Sequence, residues 1–373
     1  MLDRWIVTRF LSNFALVFSV MFLFAISIDT ILQLDAYIER SQAAVDAGRF
    51  TGLWSALPAA IVDYNAPRVF QFYAYLVGLG AVAAAGFTLA QMVRTRELVA
   101  MLAAGISLWR VGLAILAAAV GLNLLQLVNG ELVLPRLAPL LVREHSAILE
   151  PSVRSFPVRL VQDRERKLVL VQSFDPVSST ARGLVVIERD ETGAATRRIE
   201  APRAEWDDAR GGWVLEKGVA AGRSAPGSGD GREVRIDRVE EVAFVATDVS
   251  PKAILARRFR GFAQLLSSAE ISALAAEGGI ADGSASRLVG QRFAGACVNL
   301  LMLAICLPFF LVREPRKLLR PSILCAAVAV PGLLGSLFVM TVEIGSLPAT
   351  VGVFLPVALL LPLAAYRVGA LPT

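Results

Sequence analysis

The chain has 373 residues, 55% hydrophobic and 18% charged, with a formal net charge of +5. So apolar a composition excludes both a soluble globular protein and a disordered chain. The basic excess lies largely in arginines and lysines that flank apolar runs, so no nucleic-acid partner is needed to account for it.

Six uncharged runs of roughly 19 to 25 residues are each long enough to cross a hydrocarbon core of ~30 Å. The first, Phe10 to Ile28, follows Arg4 and Arg9 and has no small-residue cleavage site after it, so it reads as a span and not a signal peptide. The second, Val69 to Val93, ends against Arg94 and Arg96. Residues 94–110, "RTRELVAMLAAGISLWR", then precede the third run, Val111 to Gly130. As a helix turning ~100° per residue, this stretch puts Leu98, Leu102, Ile106 and Trp109 on one face and Ala100, Ala103, Ala104 and Ser107 on the other, with Gly105 permitting a bend. Periodicity leaves two readings open, an interfacial helix that only connects two spans or a helix whose small-residue side admits a partner's backbone.

Residues 131–150, "ELVLPRLAPLLVREHSAILE", read as a connector helix interrupted by Pro135 and Pro139, with the lone His145 on its surface. Residues 151–250 show short β-branched runs broken by Gly and Asp turns, an antiparallel β domain from about Pro151 to Asp248, with a loop in "AAGRSAPGSGDGR". "KLVLV" and "GLVVI" are apolar at consecutive positions, so both faces of part of the sheet are greasy, as in a closed sandwich or in a sheet with an apolar lumen. Residues 251–290 contain "FAQLLSSAEISALAAEGG", read as an amphipathic helix at the membrane surface.

Residues 291–373 hold the last three runs, Phe293 to Val312, Pro321 to Val342 and Ile344 to Tyr366. Arg4, Arg9, Arg94, Arg96, Arg110, Arg313, Arg316, Lys317 and Arg320 put both termini in the cytoplasm and the β domain on the opposite side. The three cysteines, Cys297, Cys306 and Cys325, all fall in spans; Cys297 and Cys306 are about 900° of helix apart and cannot pair with each other. In "VPGLLGSLF", Gly332 and Ser336 form a small-xxx-small pattern that packs helices closely, within the chain or against a partner.

Chemistry is sparse. One histidine and no extracytoplasmic cysteine leave no Ser-His-Asp or Cys-His set, no lysine is followed by Ser or Thr as a phosphate cradle requires, and no metal or cofactor is implied. Polar residues in the spans are Asn123, Gln126, Asn129 and Asn299, with Glu343 at an outer end, and none is ionisable at mid-membrane. Any uphill transport must draw its energy from another subunit.

"RTRELVAMLAAGISLWRV", "NGELVLPRLAPL", "LLSSAEISALAAEG" followed by "RFAGACVNLLMLAICLPFFLVRE", and "EIGSLPATVGVFLP" together resemble the lipopolysaccharide export permeases of the LptF/LptG family across nearly the whole chain. The resemblance implies six transmembrane helices with an inserted, open jelly-roll-like periplasmic domain, in an inner-membrane transport subunit that is not an enzyme. It implies a cytoplasmic ATP-binding-cassette ATPase dimer, a second related permease or a second copy of this chain, and a periplasmic bridge of like β domains. Coupling would fall to Arg94, Glu97, Leu98, Met101, Leu102 and Gly105, the lumen to Val169, Val171, Val185 and Ile187, and the paired-permease contact to Gly332 and Ser336. Family members carry basic residues at the outer end of span one to meet lipid phosphates, whereas this chain has Asp29, Gln33 and Asp35 there, leaving Arg40, with Arg136 and Arg143, as candidates. A structural or signalling envelope protein whose β domain binds a partner is the alternative, and a lipid- or glycan-modifying enzyme is weaker because no reactive set is present.

Overall fold

The computed structural model describes residues 1–149, 155–176, 178–223, 236–259, 261–276, 279–311, 319–342 and 348–369. Arg313, Arg316, Lys317, Glu343, the start of the β domain at Pro151 and most of the "AAGRSAPGSGDGR" loop lie outside them. The chain divides into a helical unit (Met1–Tyr37, Ile61–Arg136, Gly283–Thr373) and a β unit (Ile38–Ala60, Leu137–Asp282).

The helices before the sheet are α1 (Leu2–Leu32), α2 (Leu34–Asp46), α3 (Leu53–Asn65), α4 (Arg68–Arg94), α5 (Glu97–Ala103), α6 (Leu108–Val128) and α7 (Leu134–Leu141). After it come α8 (Pro251–Arg258), α9 (Phe262–Leu265), α10 (Ser268–Ala276), α11 (Asp282–Cys306), α12 (Leu319–Thr341) and α13 (Ala349–Gly369). Six helical stretches are long and apolar enough to cross a membrane: α1, α4, Leu108–Leu141, Asp282–Phe309, α12 and α13. α1 packs along α4 and α6, with Ile6, Phe10 and Phe14 buried against them. Close approach is possible because α4 presents glycine: a Cβ at Gly80 would lie 3.1 Å from the Phe14 ring.

Polar side chains join three spans where apolar surface gives no drive to associate. Asn299 of α11 donates to Asn123 Oδ1 (3.2 Å) and Gln126 Oε1 (3.3 Å) of α6, while Gln126 and Asn129 donate to the Ala74 and Phe70 carbonyls of α4. The four polar residues found in the spans by sequence therefore act largely as helix-to-helix glue. Pro135 and Pro139 do not interrupt the helix where expected. Instead a π-helical turn spans Asn129–Val133, one turn before Pro135, whose ring lacks an N–H and crowds the carbonyl four residues back. Arg292 of α11 fastens this turn, its guanidinium donating to Gly130 O (3.2 Å) and to Glu131 Oε1 (2.6 Å).

Between the first two spans the structure adds two helices, α2 and α3. α2 stops at Gly48 (φ 72°), with Gly48 N donating to Val45 O and Arg49 N to Ala44 O, the Schellman arrangement that a left-handed glycine permits. The surface helix expected in 251–290 is also several pieces. Ser267 breaks it, because its hydroxyl accepts from Glu270 N (3.2 Å) while the Glu270 carboxylate accepts from Ser267 N (3.0 Å), a capping box that starts α10 afresh. Phe262, Leu265, Leu266, Ile271 and Leu274 are buried in the protein.

The β unit carries β1 (Phe156–Gln162), β2 (Leu168–Asp175), β3 (Thr180–Arg189), β4 (Ala195–Asp207), β5 (Gly212–Glu216), β6 (Val219–Arg223), β7 (Ile236–Glu241) and β8 (Phe244–Ala246). They form one antiparallel sheet in the order β1-β2-β3-β4-β5-β8, with β6 bridging β4 and β7. The register pairs Val169 with Val186 and Val171 with Leu184, and these four face inward and are buried together with Ile199 and Ala201. Leu168, Leu170, Val185 and Ile187 face the other way and are half-buried. The candidate set Val169, Val171, Val185 and Ile187 is thus corrected: β3 is shifted by one residue from that reading, so two of the four point out. Inward-facing positions also change phase at Gly183 (φ 64°), where a Cβ would stand 2.6 Å from Gln172 Cδ; beyond it Phe174, Ala181 and Ala204 face inward.

At the rim of the sheet Asp248 has a buried Oδ1 without a partner among the described residues, and its Oδ2 accepts from Arg164 N (3.2 Å). Burial pushes its carboxyl above the ordinary carboxylate range, nearby Asp163 pushes the same way, and Arg164 and Arg257 oppose. A carboxyl whose pKa is raised on folding favours the native state below its unfolded pKa, and that preference is lost as pH rises through the folded one. Asp248→Asn should therefore raise the unfolding temperature of the full chain at pH 7, and the gain should vanish below about pH 4, where both side chains are neutral. Thermal scans across that range check it; a loss at pH 7 would show that the charged form is the stabilising one.

Candidate functional site

The stretch between the second and third spans is not one helix. α4 ends at Arg94, Arg96 takes a left-handed conformation (φ 57°), and α5 runs for only 7 residues. Gly105 (φ 75°) then donates to Leu102 O (3.0 Å) and Ile106 N to Met101 O (2.9 Å), which closes α5 as a Schellman motif; Ser107 is extended and α6 begins at Leu108. Gly105 is thus the stop of the helix, and a side chain there would be strained in backbone though not in space.

Leu98 and Met101, at 2% and 8% exposure, are packed in the helical unit's core, and Leu102, Ile106 and Trp109 lie against it half-buried. Val99, Ala100, Ala103 and Ala104 form the exposed face, separated by three and four residues as one helix side requires. Arg94 and Arg96 stand exposed at its entry. Of the six expected coupling residues, Leu98 and Met101 are therefore turned into the chain's own core, while Val99, Ala100, Ala103 and Ala104 make up the exposed face of α5.

Glu97, in the first turn of α5, receives a hydrogen bond from Arg9 of α1 (2.6 Å). The Arg9 guanidinium also donates to Gln91 Oε1 (3.3 Å) and lies 4.9 Å from the centre of the Trp5 ring. Asn13, one turn on, donates to Thr88 Oγ1 (2.8 Å) and to the same Gln91 oxygen (3.4 Å). Arg110 at the start of α6 pairs with Asp3 through two 3.0 Å bonds. The sequence discloses Arg9 and Arg110 only as membrane-orienting charges, because ion pairs between residues 88 and 107 positions apart have no local spacing to betray them.

The remaining predicted residues fall as follows. Gly332 faces Met302 of the chain's own α11, whose Cε would stand 2.5 Å from an added Cβ, and Ser336 is buried with its hydroxyl donating to Gly332 O (2.6 Å). Gly332 thus meets the chain's own α11, while Leu334, Leu337 and Phe338 form the exposed side of α12. Arg143 is 3% exposed and donates to Leu140 O (3.3 Å), so it offers no open charge to a headgroup. Arg136 is exposed on α7, and Arg40, on α2, is half-buried beside Glu39. Cys306 and Cys325 are buried and Cys297 is exposed, all as free thiols. Among the described residues no three His, Cys, Asp or Glu side chains converge as metal ligands would.

Six apolar helices interrupted after the third by an antiparallel sheet match a known architecture. The profile of the lipopolysaccharide export system permease LptF/LptG family fits residues 4–369. Comparison with curated proteins finds no match. The family is one of transport permeases, multi-pass in the inner membrane, and not of enzymes. With nearly every residue inside the matched range, the chain belongs to the lipopolysaccharide export system permease LptF/LptG family.

Proposed function

We propose that this chain is one permease of a pair that lifts lipopolysaccharide out of the inner membrane, driven by an ATP-binding-cassette ATPase dimer docked on α5 from the cytoplasm. The observation that carries the reading is the exposed face of Val99, Ala100, Ala103 and Ala104 on a short helix bounded by two left-handed residues. Such a face has no reason to be small and apolar if it only meets water, and it lets a groove close to backbone distance. Arg94, Glu97, Leu102 and Gly105 frame it, while Leu98 and Met101 anchor it from behind. Both termini then lie in the cytoplasm and the β unit in the periplasm, in keeping with Arg4, Arg9, Arg94, Arg96 and Arg110 at one end of the spans.

Lipid passes next to the β unit, where the inward face of Val169, Val171, Leu184 and Val186, closed in this structure, must open to receive acyl chains, and Arg136 and Arg40 remain as headgroup contacts. β1 pairs with β2 alone among the described strands, so its outer edge is the place for a periplasmic bridge domain to add a strand.

Ala100→Glu and Ala104→Glu test the docking. An unpaired carboxylate buried in an interface costs about 2–5 kcal/mol, so each variant should lose the ATPase in pull-down by more than about ten-fold while the permease still inserts. Unchanged ATPase recovery in both variants would refute the docking and favour the structural or signalling alternative.

A further inference from the structure

The helix proposed to receive the ATPase is poorly built to transmit force by itself. At 7 residues α5 is below the length at which a helix holds together alone, and it hangs between left-handed residues at Arg96 and Gly105. Movement of such a segment is absorbed at its ends unless something fastens it to the spans. Leu98 and Met101 fasten it to the core by packing, and a charge-assisted hydrogen bond adds a tie with a fixed direction.

The directional fastening is polar and leads to one helix. Glu97, Arg9, Gln91, Asn13 and Thr88 form a continuous chain of hydrogen bonds from α5 to α1 to α4. Arg9 is its centre, held by Glu97, by Gln91 and over the Trp5 ring. Its side chain is 24% exposed and that of Glu97 32%, so the pair is screened less than a surface pair. The other end of the connecting segment is fastened to α1 as well, through Arg110 and Asp3.

We infer that Arg9 is the positioning residue that ties the docking helix to span one, so that displacement of α5 moves the first turns of α1. The inference rests on the proposed docking of an ATPase at α5. It assigns α1 a part in the stroke that its apolar sequence alone does not disclose.

The test uses the full chain with its co-expressed ATPase and partner permease in proteoliposomes, with lipopolysaccharide as the probe and transfer per ATP hydrolysed as the readout. Arg9→Met keeps the apolar stem and removes the charge. It should leave ATPase recovery unchanged but lower transfer per ATP by about ten-fold, the scale of an ordinary coupling energy, and Arg9→Lys should restore most of it. In a chain that inserts, a merely structural role would lower ATPase recovery along with transfer, and that result overturns the inference, as does transfer per ATP equal to that of the unmodified chain. Should Arg9→Met fail to insert, Arg9→Gln, which keeps a polar head but loses the charge and the reach to Glu97, takes its place. Its transfer per ATP should be lowered likewise; a value equal to that of the unmodified chain overturns the inference. Failure of the unmodified chain to retain any ATPase is a separate result, which removes the proposed docking and this inference with it.

Discussion

Trp213→Ala should unfold the β unit while the six spans stay inserted. Trp213 of β5 is fully buried, with its indole N–H donating to Val249 O (3.2 Å). It lies in a run of edge-to-face aromatic contacts, with Trp206 at 5.3 Å on one side and Phe174 at 6.2 Å on the other, continuing through Phe156 to Phe259. Truncating a buried tryptophan costs about 3–5 kcal/mol from lost transfer and the cavity left behind. The orphaned Val249 carbonyl adds about 1–3 kcal/mol. Against a domain stability of about 5–15 kcal/mol, the sum is large enough to leave the sheet open much of the time. Limited proteolysis of the membrane-inserted chain should cut Trp213→Ala between residues 156 and 246 under conditions in which the unmodified chain resists. Trp213→Phe, which keeps most of the ring contact and loses only the hydrogen bond, should fall between them. Equal protease resistance of the alanine variant would mean that the sheet is held from elsewhere.

The six spans are legible in the sequence because a bilayer imposes a length and forbids charge, two constraints that survive any detail of packing. The β domain is legible as antiparallel sheet for a similar reason, since β-branched runs between Gly and Asp turns have few other uses. Its facing is less so. "KLVLV" and "GLVVI" lack the alternation that would set the inward residues, and only the pairing of Val171 with Leu184 settles that Val185 points out. α2 and α3 are less legible because helices of mixed polarity carry neither the length nor the uniform apolarity of a span, although the glycine at 48 is a stop signal. The Ser267 to Glu270 capping box that divides α9 from α10 is a signal of the same kind.

At the candidate site the split is physical. Ala100, Ala103 and Ala104 could be grouped by helical spacing alone, but which apolar residues anchor α5 depends on where α5 begins, and that is set by the left-handed turn at Arg96, a conformation no sequence rule assigns to arginine. Similarly, a small-xxx-small pair says that something comes close without saying what. Gly332 meets the chain's own α11, where Met302 fills the space over the glycine. The ties of α1 to α5 and α6 are the least legible, being set by tertiary contact between residues far apart in the chain.

The polar seam among the spans supplies the other large effect. Gly78 of α4 sits beneath Asn299 of α11, so close that an added Cβ would overlap Asn299 Oδ1 and stand 2.7 Å from its Cγ. Asn299 cannot simply swing aside, because its amide nitrogen is committed to Asn123 and Gln126. Gly78→Ala must therefore either part α4 from α11 or break those two hydrogen bonds. Overpacking costs about 1–3 kcal/mol. Hydrogen bonds between spans are worth about 0.6 kcal/mol each on average, so losing both adds roughly another 1 kcal/mol. Asn299→Ala should cost only that smaller share, and it vacates the space that the new methyl needs. In the double variant the methyl added at position 78 no longer meets an obstacle, so Gly78→Ala/Asn299→Ala should be more stable than Gly78→Ala alone. Thermal unfolding of the four chains in one detergent measures the cycle. The expected non-additivity is about 1–2 kcal/mol in the favourable sense. Additive losses, with the double variant the least stable of the four, would mean that the methyl meets something other than Asn299 and that the seam does not set the distance between α4 and α11.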